Sequence, residues 1–273
     1  MKKQLSLIAL VMLLCASFSF AQNRETRTVD TFTKISFRVS GKLYLRQGAT
    51  QKVELEGKKD VLKEIETEVS GGKLVIGKEG NWNWGWGDND DDDVNVYITV
   101  KDIEALSVSG SGDLIGETKF IAGDLDLNVS GSGTLKLDVD ASGDMEADVS
   151  GSGNIDLKGK CRSFNSDVSG SGKVIMSVSV SEKADFGVSG SGRIMASGSA
   201  QKVKASISGS GKVLASDLVT NSCEVRISGS GDVEINVKSE LDANISGSGS
   251  VSYKGNPTKV NSHSSGSGKV SKM

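Results

Sequence analysis

The chain has 273 residues, a formal net charge of −3 and an aromatic content of 5%. This acidic balance argues against nucleic acid as a partner, because nucleic-acid binding needs a basic surface. A single proline beside 34 glycines, among many valines, isoleucines and serines, favours short strands with tight turns over helices.

Residues 1–21 have the pattern of a secretory signal peptide. Lys2 and Lys3 precede an apolar run at residues 5–14, and Ser19 and Ala21 are small residues placed three and one positions before a cleavage site. The run is too short to span a bilayer, which needs about 20 residues. We therefore predict an exported protein without a transmembrane segment, located in the periplasm, at the cell surface or outside the cell.

Residues 22–106 are predicted to form irregular N-terminal coils, because apolar-Ser-Gly patterns begin at Val39 and Val69. A Trp/Asp-rich stretch at residues 80–93 breaks the strand pattern and is predicted to be a loop. Its rings could stack on sugars and its carboxylates could bind polar groups, and a solvated insertion is the alternative. The candidate binding residues are Trp82, Trp84, Trp86, Asp88, Asp90 and Asp92.

Residues 107–273 are predicted to form regular repeats that continue the preceding part as one domain. The sequence Ser-Gly-Ser-Gly occurs nine times at intervals of 18 to 21 residues, and a fixed period of this size indicates stacked structural units. The copies begin at Ser109, Ser130, Ser150, Ser169, Ser189, Ser208, Ser228, Ser246 and Ser265.

Each signature has aliphatic residues in two fixed positions. Val or Ile precedes eight of the nine copies, and Leu, Ile or Val follows the first serine by five residues in all nine. Strand alternation then places both aliphatic columns inside and both serine columns outside, with the glycines at close approaches or at corners of positive φ. The predicted fold is all-β: a single-stranded, right-handed, parallel β-helix with about twenty residues per coil.

The two cysteines after the signal segment, Cys161 and Cys223, are predicted to be buried free thiols. About three coils separate them, which is roughly 14 Å along the axis. A disulfide requires Cα atoms within about 7 Å.

The sequence predicts no catalytic residues, no metal site and no cofactor. Asp88, Asp90 and Asp92 imitate the start of a calcium-binding loop, but Asp93 stands where that loop needs glycine and Thr99 where it needs glutamate. The residue after each signature varies, so no column of calcium ligands exists. The only histidine, His263, lies near the C-terminus without an evident triad.

Several segments together resemble the auto-transporter adhesin, head GIN domain family. They are residues 32–36 (FTKIS), 45–48 (LRQG), 71–76 (GGKLVI) and 94–100 (VNVYITV), followed by the Val-Ser-Gly-Ser-Gly series. The resemblance spans residues 27–270 and implies a right-handed β-helix and an envelope or secreted location. It supplies no catalytic residues.

We interpret the chain as an exported, non-catalytic cell-envelope or secreted β-helix protein with adhesin-like binding of polysaccharide or protein. One alternative is a purely structural or self-assembling envelope protein, with a homo-oligomer formed through a coil end. A polysaccharide-active enzyme and a lattice-binding surface such as an ice-binding face are the remaining alternatives.

Overall fold

The computed structural model describes residues 23–78 and 94–273, so the signal segment and residues 79–93 lie outside it. Strands make up 75% of the structure, which winds into a β-solenoid of about eight turns with about twenty residues per turn. The predicted all-β parallel β-helix is therefore confirmed, and its right hand stays a prediction.

The chain forms twenty-two described strands and one described helix. Within the described residues they are β1 (Asn23–Arg27), β2 (Lys34–Phe37), β3 (Gly41–Gln47), β4 (Lys52–Gly57), α1 (Lys59–Glu64), β5 (Ile65–Ser70), β6 (Lys73–Lys78), β7 (Val94–Val100), β8 (Ala105–Gly110), β9 (Asp113–Ala122), β10 (Leu125–Gly131), β11 (Thr134–Ala141), β12 (Asp144–Gly151), β13 (Asn154–Cys161), β14 (Ser163–Gly170), β15 (Lys173–Val180), β16 (Lys183–Gly190), β17 (Arg193–Gly209), β18 (Lys212–Gly229), β19 (Asp232–Gly247), β20 (Ser250–Lys254), β21 (Lys259–Gly266) and β22 (Lys269–Lys272).

Each coil of the repeat region contains two kinds of strand. The serine strands end in the first Ser-Gly of the signature and pair in parallel with one another, as β10 does with β8 and β12. The return strands follow the signature and form a second parallel ladder, as β11 does with β9 and β13. In β17, β18 and β19 one long strand contains both kinds, the return strand first.

The solenoid encloses one apolar core between the serine strands and the return strands. The aliphatic residue before the signature is at most 3% exposed in each of the first eight copies. These residues are Val108, Val129, Val149, Val168, Val188, Ile207, Ile227 and Ile245. The second aliphatic column is buried in the same coils, so the predicted inside and outside of the coil are confirmed.

The two glycines of the signature have different roles. The first glycine forms a corner of the coil. In Gly151, for example, φ is 112°, a backbone conformation that residues other than glycine rarely adopt. A corner of positive φ is one of the two roles predicted for these glycines, and Gly151 is exposed because the chain turns there. The second, Gly153, is buried, and a Cβ there would lie 2.4 Å from Val129 Cγ1 and 2.7 Å from the carbonyl oxygen of Gly133.

Antiparallel strands and a short helix cover the N-terminal end of the solenoid. β4 pairs antiparallel with β7 and with β1, and β5 forms an antiparallel hairpin with β6. Helix α1 connects β4 to β5 and places Leu62, which is 1% exposed, against the core. At the Val69 pattern, Gly71 and Gly72 form the turn of the β5–β6 hairpin, and β6 then pairs in parallel with β2.

The order of the first coils in space differs from their order in the chain. β2 lies between β6 and β8, and β3 lies between β7 and β9, all in parallel. The coil made of β2 and β3 turns at Gly41, whose φ of 126° matches the later corners, so the Val39 pattern does mark a coil. The coil made of β6 and β7 stacks outside it.

The last coil is more polar than the others. Ser264 stands where the preceding coil has the buried Ile245, and Val260, in register with Leu241, is 40% exposed. In the described chain, β21 pairs only with β19 and β22 only with β20. None of the described helices is long and apolar enough to cross a membrane.

Candidate functional site

The six predicted binding residues, from Trp82 to Asp92, lie outside the described residues. The strands that flank them are described: β6 ends at Lys78 and β7 begins at Val94. In the neighbouring coil, Phe37 is in register with Ile76 and Gly41 with Val94. The two flanking strands, β6 and β7, therefore take the places of a serine strand and a return strand in the stack of coils.

An aromatic stack lies on the outer face of the return strands, close to that segment in the chain. The rings of Tyr44 and Tyr97 have centroids 5.2 Å apart and planes 16° apart, and Arg24 Cζ lies 4.2 Å from the centroid of the Tyr97 ring. Arg24 and Tyr44 thus cover the Tyr97 ring, so this ring offers no free face to a sugar. Its role is to join β1, β7 and β3 across the N-terminal end.

The serine columns form ladders on the outside of the solenoid, as predicted. Ser130, Ser150 and Ser169 are in register on consecutive serine strands and are exposed. The second serine of each signature is exposed as well, and in seven of the nine copies its backbone N–H donates a hydrogen bond to the preceding coil. Ser152 N donates to the carbonyl oxygen of Gly131 at 2.8 Å.

A shallow groove of about 550 Å³ runs along the serine strands in the C-terminal half. One wall is the column two residues before the signature, which contains Ser206, Arg226, Asn244 and His263 in register. The other wall is the serine ladder itself. The groove residues that carry polar side chains are Asp167, Ser189, Ser206, Ser208, Arg226, Ser228, Asn244, Ser246, His263 and Ser265.

His263 lies in this groove without a catalytic partner. It is exposed, and it makes no hydrogen bond or ion pair within the part of the chain that the structure describes. Its register neighbour is Asn244, so no carboxylate orients the ring from the preceding strand. The arrangement suits hydrogen bonding to a ligand better than proton transfer, which requires a positioned and oriented base.

An acidic patch occupies the serine strands nearer the middle of the molecule. Asp124, Asp126, Asp144, Glu146 and Asp185 line a depression of about 230 Å³. Two cations lie among them, because Arg162 bonds to Asp144 at 3.0 Å and Lys183 bonds to Asp185 at 3.0 Å. Among the described residues, no group of acidic, histidine or cysteine side chains is arranged to hold a metal ion.

Asp148 is the carboxylate of this face with the most altered acidity. Burial raises its pKa to about 6, and repulsion by Glu146 and Asp167 adds to the effect. The backbone N–H of Asp167 donates to Asp148 Oδ1 at 3.0 Å and partly offsets the rise in pKa.

The raised pKa of Asp148 predicts a specific pH dependence of stability. An unfolded Asp has a pKa near 3.9, so between about pH 4 and pH 6 the folded chain holds more protons than the unfolded chain, and its free energy of unfolding falls as pH rises. Asp148→Asn should therefore flatten this slope and stabilise the chain at pH 7 by about 1 kcal/mol, after allowance for solvent screening. Urea unfolding at pH 4.5 and pH 7 measures both effects.

The exposed Asp126 offers a matched control for that substitution. Asp126→Asn makes the same change of charge on the same face and is expected to leave the slope in place. An unchanged slope in Asp148→Asn would contradict the prediction.

Cys161 and Cys223 are buried and free, as predicted. Burial raises the pKa of both thiols and so disfavours the thiolate, which is the nucleophilic form.

Comparison with solved structures gives the same architecture. A protein described as a "putative adhesin" from Parabacteroides distasonis has 20% identity and a TM-score of 0.71, over 92% of this chain and 96% of its own. A "putative adhesin" from Parabacteroides merdae has 18% identity and a TM-score of 0.70, over 93% and 97%. A "putative lipid binding protein" from P. distasonis has 23% identity and a TM-score of 0.69, over 93% and 98%.

The sequence itself matches a known protein family. The comparison with curated proteins finds no match. The profile of the family described as "Putative auto-transporter adhesin, head GIN domain" matches residues 31–194 and 170–257, which together cover most of the chain. This chain therefore belongs to the auto-transporter adhesin, head GIN domain family.

Proposed function

We propose that the chain is an exported, non-catalytic adhesin-like module that binds an extended polysaccharide at the cell envelope or outside the cell. The observation that carries this proposal is the groove along the serine strands, with hydroxyls on one wall and Arg226, Asn244 and His263 on the other. Membership of an adhesin family supports the same class of function.

The shape of the groove suits a polymer better than a small molecule. It is open along the solenoid axis, and its polar groups repeat at the spacing between parallel strands, about 4.8 Å. A sugar chain lying along the axis would meet a new set of donors and acceptors at each coil. Serine hydroxyls donate and accept, Arg226 donates, and Asn244 does both, which matches the hydroxyl groups of sugars.

The chemistry of the groove argues for binding rather than turnover. Glycoside cleavage uses a pair of carboxyl groups that flank the scissile bond at a defined separation. Asp167, at one end, is the only acidic residue among those that line the groove. The Trp/Asp segment, including Trp82, Trp84 and Trp86, is proposed as a second contact, whose rings would stack on sugars.

A glycan array probed with the chain lacking residues 1–21 tests this function. The dissociation constant of the best ligand is then measured for the wild type and for Asn244→Ala/His263→Ala. We expect the variant to bind at least tenfold more weakly, a loss of about 1.4 kcal/mol of binding free energy. A triple variant tests the second contact in the same assay, with alanine in place of Trp82, Trp84 and Trp86.

Asn128 provides the control, because it lies in the same column of the serine strands but outside the groove. Asn128→Ala should bind like the wild type. An array without any glycan signal, or equal loss of affinity in the control and the groove variant, would refute the proposal.

Assembly through the last coil is a second candidate. Its basis is the one-sided pairing of β21 and β22 in the described chain, together with the exposed Val260. An unpaired strand edge is a template for pairing with another chain. Light scattering over a range of protein concentrations measures the molar mass in solution. A monomer at every concentration would exclude assembly through the last coil.

A further inference from the structure

A second polar surface lies on the return strands of the middle coils, facing away from the serine strands. Three cations occupy the same register position on consecutive coils, directly after the signature: Lys173, Arg193 and Lys212. Two residues further along the same strands, three apolar side chains are in register: Ile175, Met195 and Leu214. We call these two rows together the cationic track.

The cationic track points to solvent because of strand alternation. The residues between its two rows, including Val174 and Val213, are fully buried, so the track residues on either side of them face outward. Met195 is 38% exposed, which is unusual for a large apolar side chain in this solenoid. Exposed apolar surface beside charged groups is typical of binding sites.

Charge pairing elsewhere in the solenoid differs from that on the track. Asp140 lies between Lys119 at 2.9 Å and Lys160 at 3.2 Å, and Lys259 pairs with Glu240 at 2.6 Å on the preceding coil. Neighbouring coils thus often place opposite charges side by side.

Two of the three cations on the track have no such partner. Lys212 bonds to Asp232 at 2.7 Å, whereas Lys173 and Arg193 form no ion pair within residues 23–78 and 94–273. Like charges directly opposite on neighbouring strands destabilise a sheet. The stacking of coils does not require this arrangement, so the row is better explained by an anionic ligand.

We propose that the cationic track binds a short stretch of an acidic polysaccharide lying along the solenoid axis. Carboxylates of the sugar chain would pair with Lys173, Arg193 and Lys212, and the apolar faces of its rings would lie on the row that contains Met195. Guanidinium and ammonium groups bind carboxylates through charge-assisted hydrogen bonds. This inference goes beyond the proposed function, since it concerns another face and a charged ligand.

The boundaries of the track favour a polymer over a membrane surface. The apolar row is in register with Asp156 on one side and with Glu234 on the other, so it spans only three strands, about 10 Å between the outer two. Those carboxylates and the net charge of −3 would repel an extended anionic surface. A single chain can follow the track without crossing them.

Titration calorimetry with a galacturonic acid hexamer tests the proposal on the chain lacking residues 1–21. Binding is expected at low ionic strength and should weaken as salt is added. Lys173→Gln/Arg193→Gln should reduce the affinity at least tenfold, about 1.4 kcal/mol. Ile175→Ser/Leu214→Ser should also weaken binding, because the ring contact is lost.

The matched control is Lys202→Gln/Lys204→Gln, which removes the same charge from exposed positions on the serine strands. It should keep wild-type affinity for the hexamer. The groove variant Asn244→Ala/His263→Ala should keep it too, which separates this site from that of the proposed function.

Four results would each overturn the inference. Two of them are the absence of hexamer binding and an equal loss of affinity in the control. The other two are binding of phosphatidylglycerol vesicles in place of the hexamer, and a neutral hexamer of glucose that binds as tightly as the acidic one.

Discussion

Gly172→Ala is expected to destabilise the chain by about 3 kcal/mol, the upper part of the range for overpacking a closed interior. A Cβ at this residue would lie 2.4 Å from Val149 Cγ1 and 2.6 Å from the carbonyl oxygen of Gly153. Two coils would then have to separate around a backbone oxygen that accepts a hydrogen bond from Lys173 at 3.0 Å. The strain therefore acts on the stacking of coils and not on a flexible side chain.

Urea unfolding followed by circular dichroism measures this effect. The control is Ser171→Ala in the same signature, because Ser171 is exposed and its side chain has no hydrogen bond within the described chain. We expect the control to unfold at the wild-type midpoint. If Gly172→Ala unfolded there as well, the close approach of the coils would be refuted.

Leu62→Ala should produce the second large effect, a loss of about 3 kcal/mol, because truncation of a buried leucine removes apolar contacts and leaves a cavity. Leu62 is 1% exposed and closes the end of the core from helix α1. Its backbone oxygen also accepts a hydrogen bond of 2.7 Å from Arg27 on β1. Loss of the side chain should loosen the N-terminal coils first, since each unit of a solenoid depends on its neighbours.

Hydrogen exchange by mass spectrometry locates that loss. Protection in β4 to β7 should fall, while β16 to β19 keep wild-type protection. Lys63→Ala is the control in the same helix, where the exposed Lys63 pairs only with the exposed Asp60. Uniform loss of protection along the chain in Leu62→Ala would contradict a local closing role for Leu62.

The repeat region was predictable from the sequence because the spacing of the signatures determines which residues of neighbouring coils lie in register. Once the signatures are aligned, Val129, Val149 and Val168 must stack, and alternation then assigns the sides of the coil. The prediction of free cysteines follows from the same spacing. Simple alternation fails at the first glycine, where the chain turns, and the repeat did not predict the register shifts between Lys136 and Asp138 and between Met195 and Ser197.

The N-terminal region was less predictable because its contacts join strands without a common period. Val39 and Val69 begin similar patterns, yet one marks a coil and the other a hairpin. The difference lies in Gly71-Gly72, where two consecutive residues of positive φ, 56° and 73°, produce a two-residue hairpin turn. The Tyr44–Tyr97 stack was equally hidden, since it depends on the pairing of β3 with β7.

The candidate sites, too, combine features that follow from the repeat with features that only the structure shows. The serine ladder follows from the repeat, but the groove beside it depends on which side chains occupy a variable column, Arg226, Asn244 and His263. The residues after the nine signatures do not form one uniform column, so the sequence pattern by itself does not indicate a ligand site there. A local run of three cations, at Lys173, Arg193 and Lys212, is significant only once the structure places it beside an apolar row.

The interleaved order of the first coils has a consequence for the order in which the chain can fold. β2 and β3 come early in the chain, but their neighbours on both sides, β6 and β8 for β2 and β7 and β9 for β3, come later. Leu43 must wait for Leu114, 71 residues further on. Every later coil needs only the one before it. We therefore expect the coils up to β9 to form slowly, because their contacts are distant in the chain, and the later repeats to add to them one coil at a time.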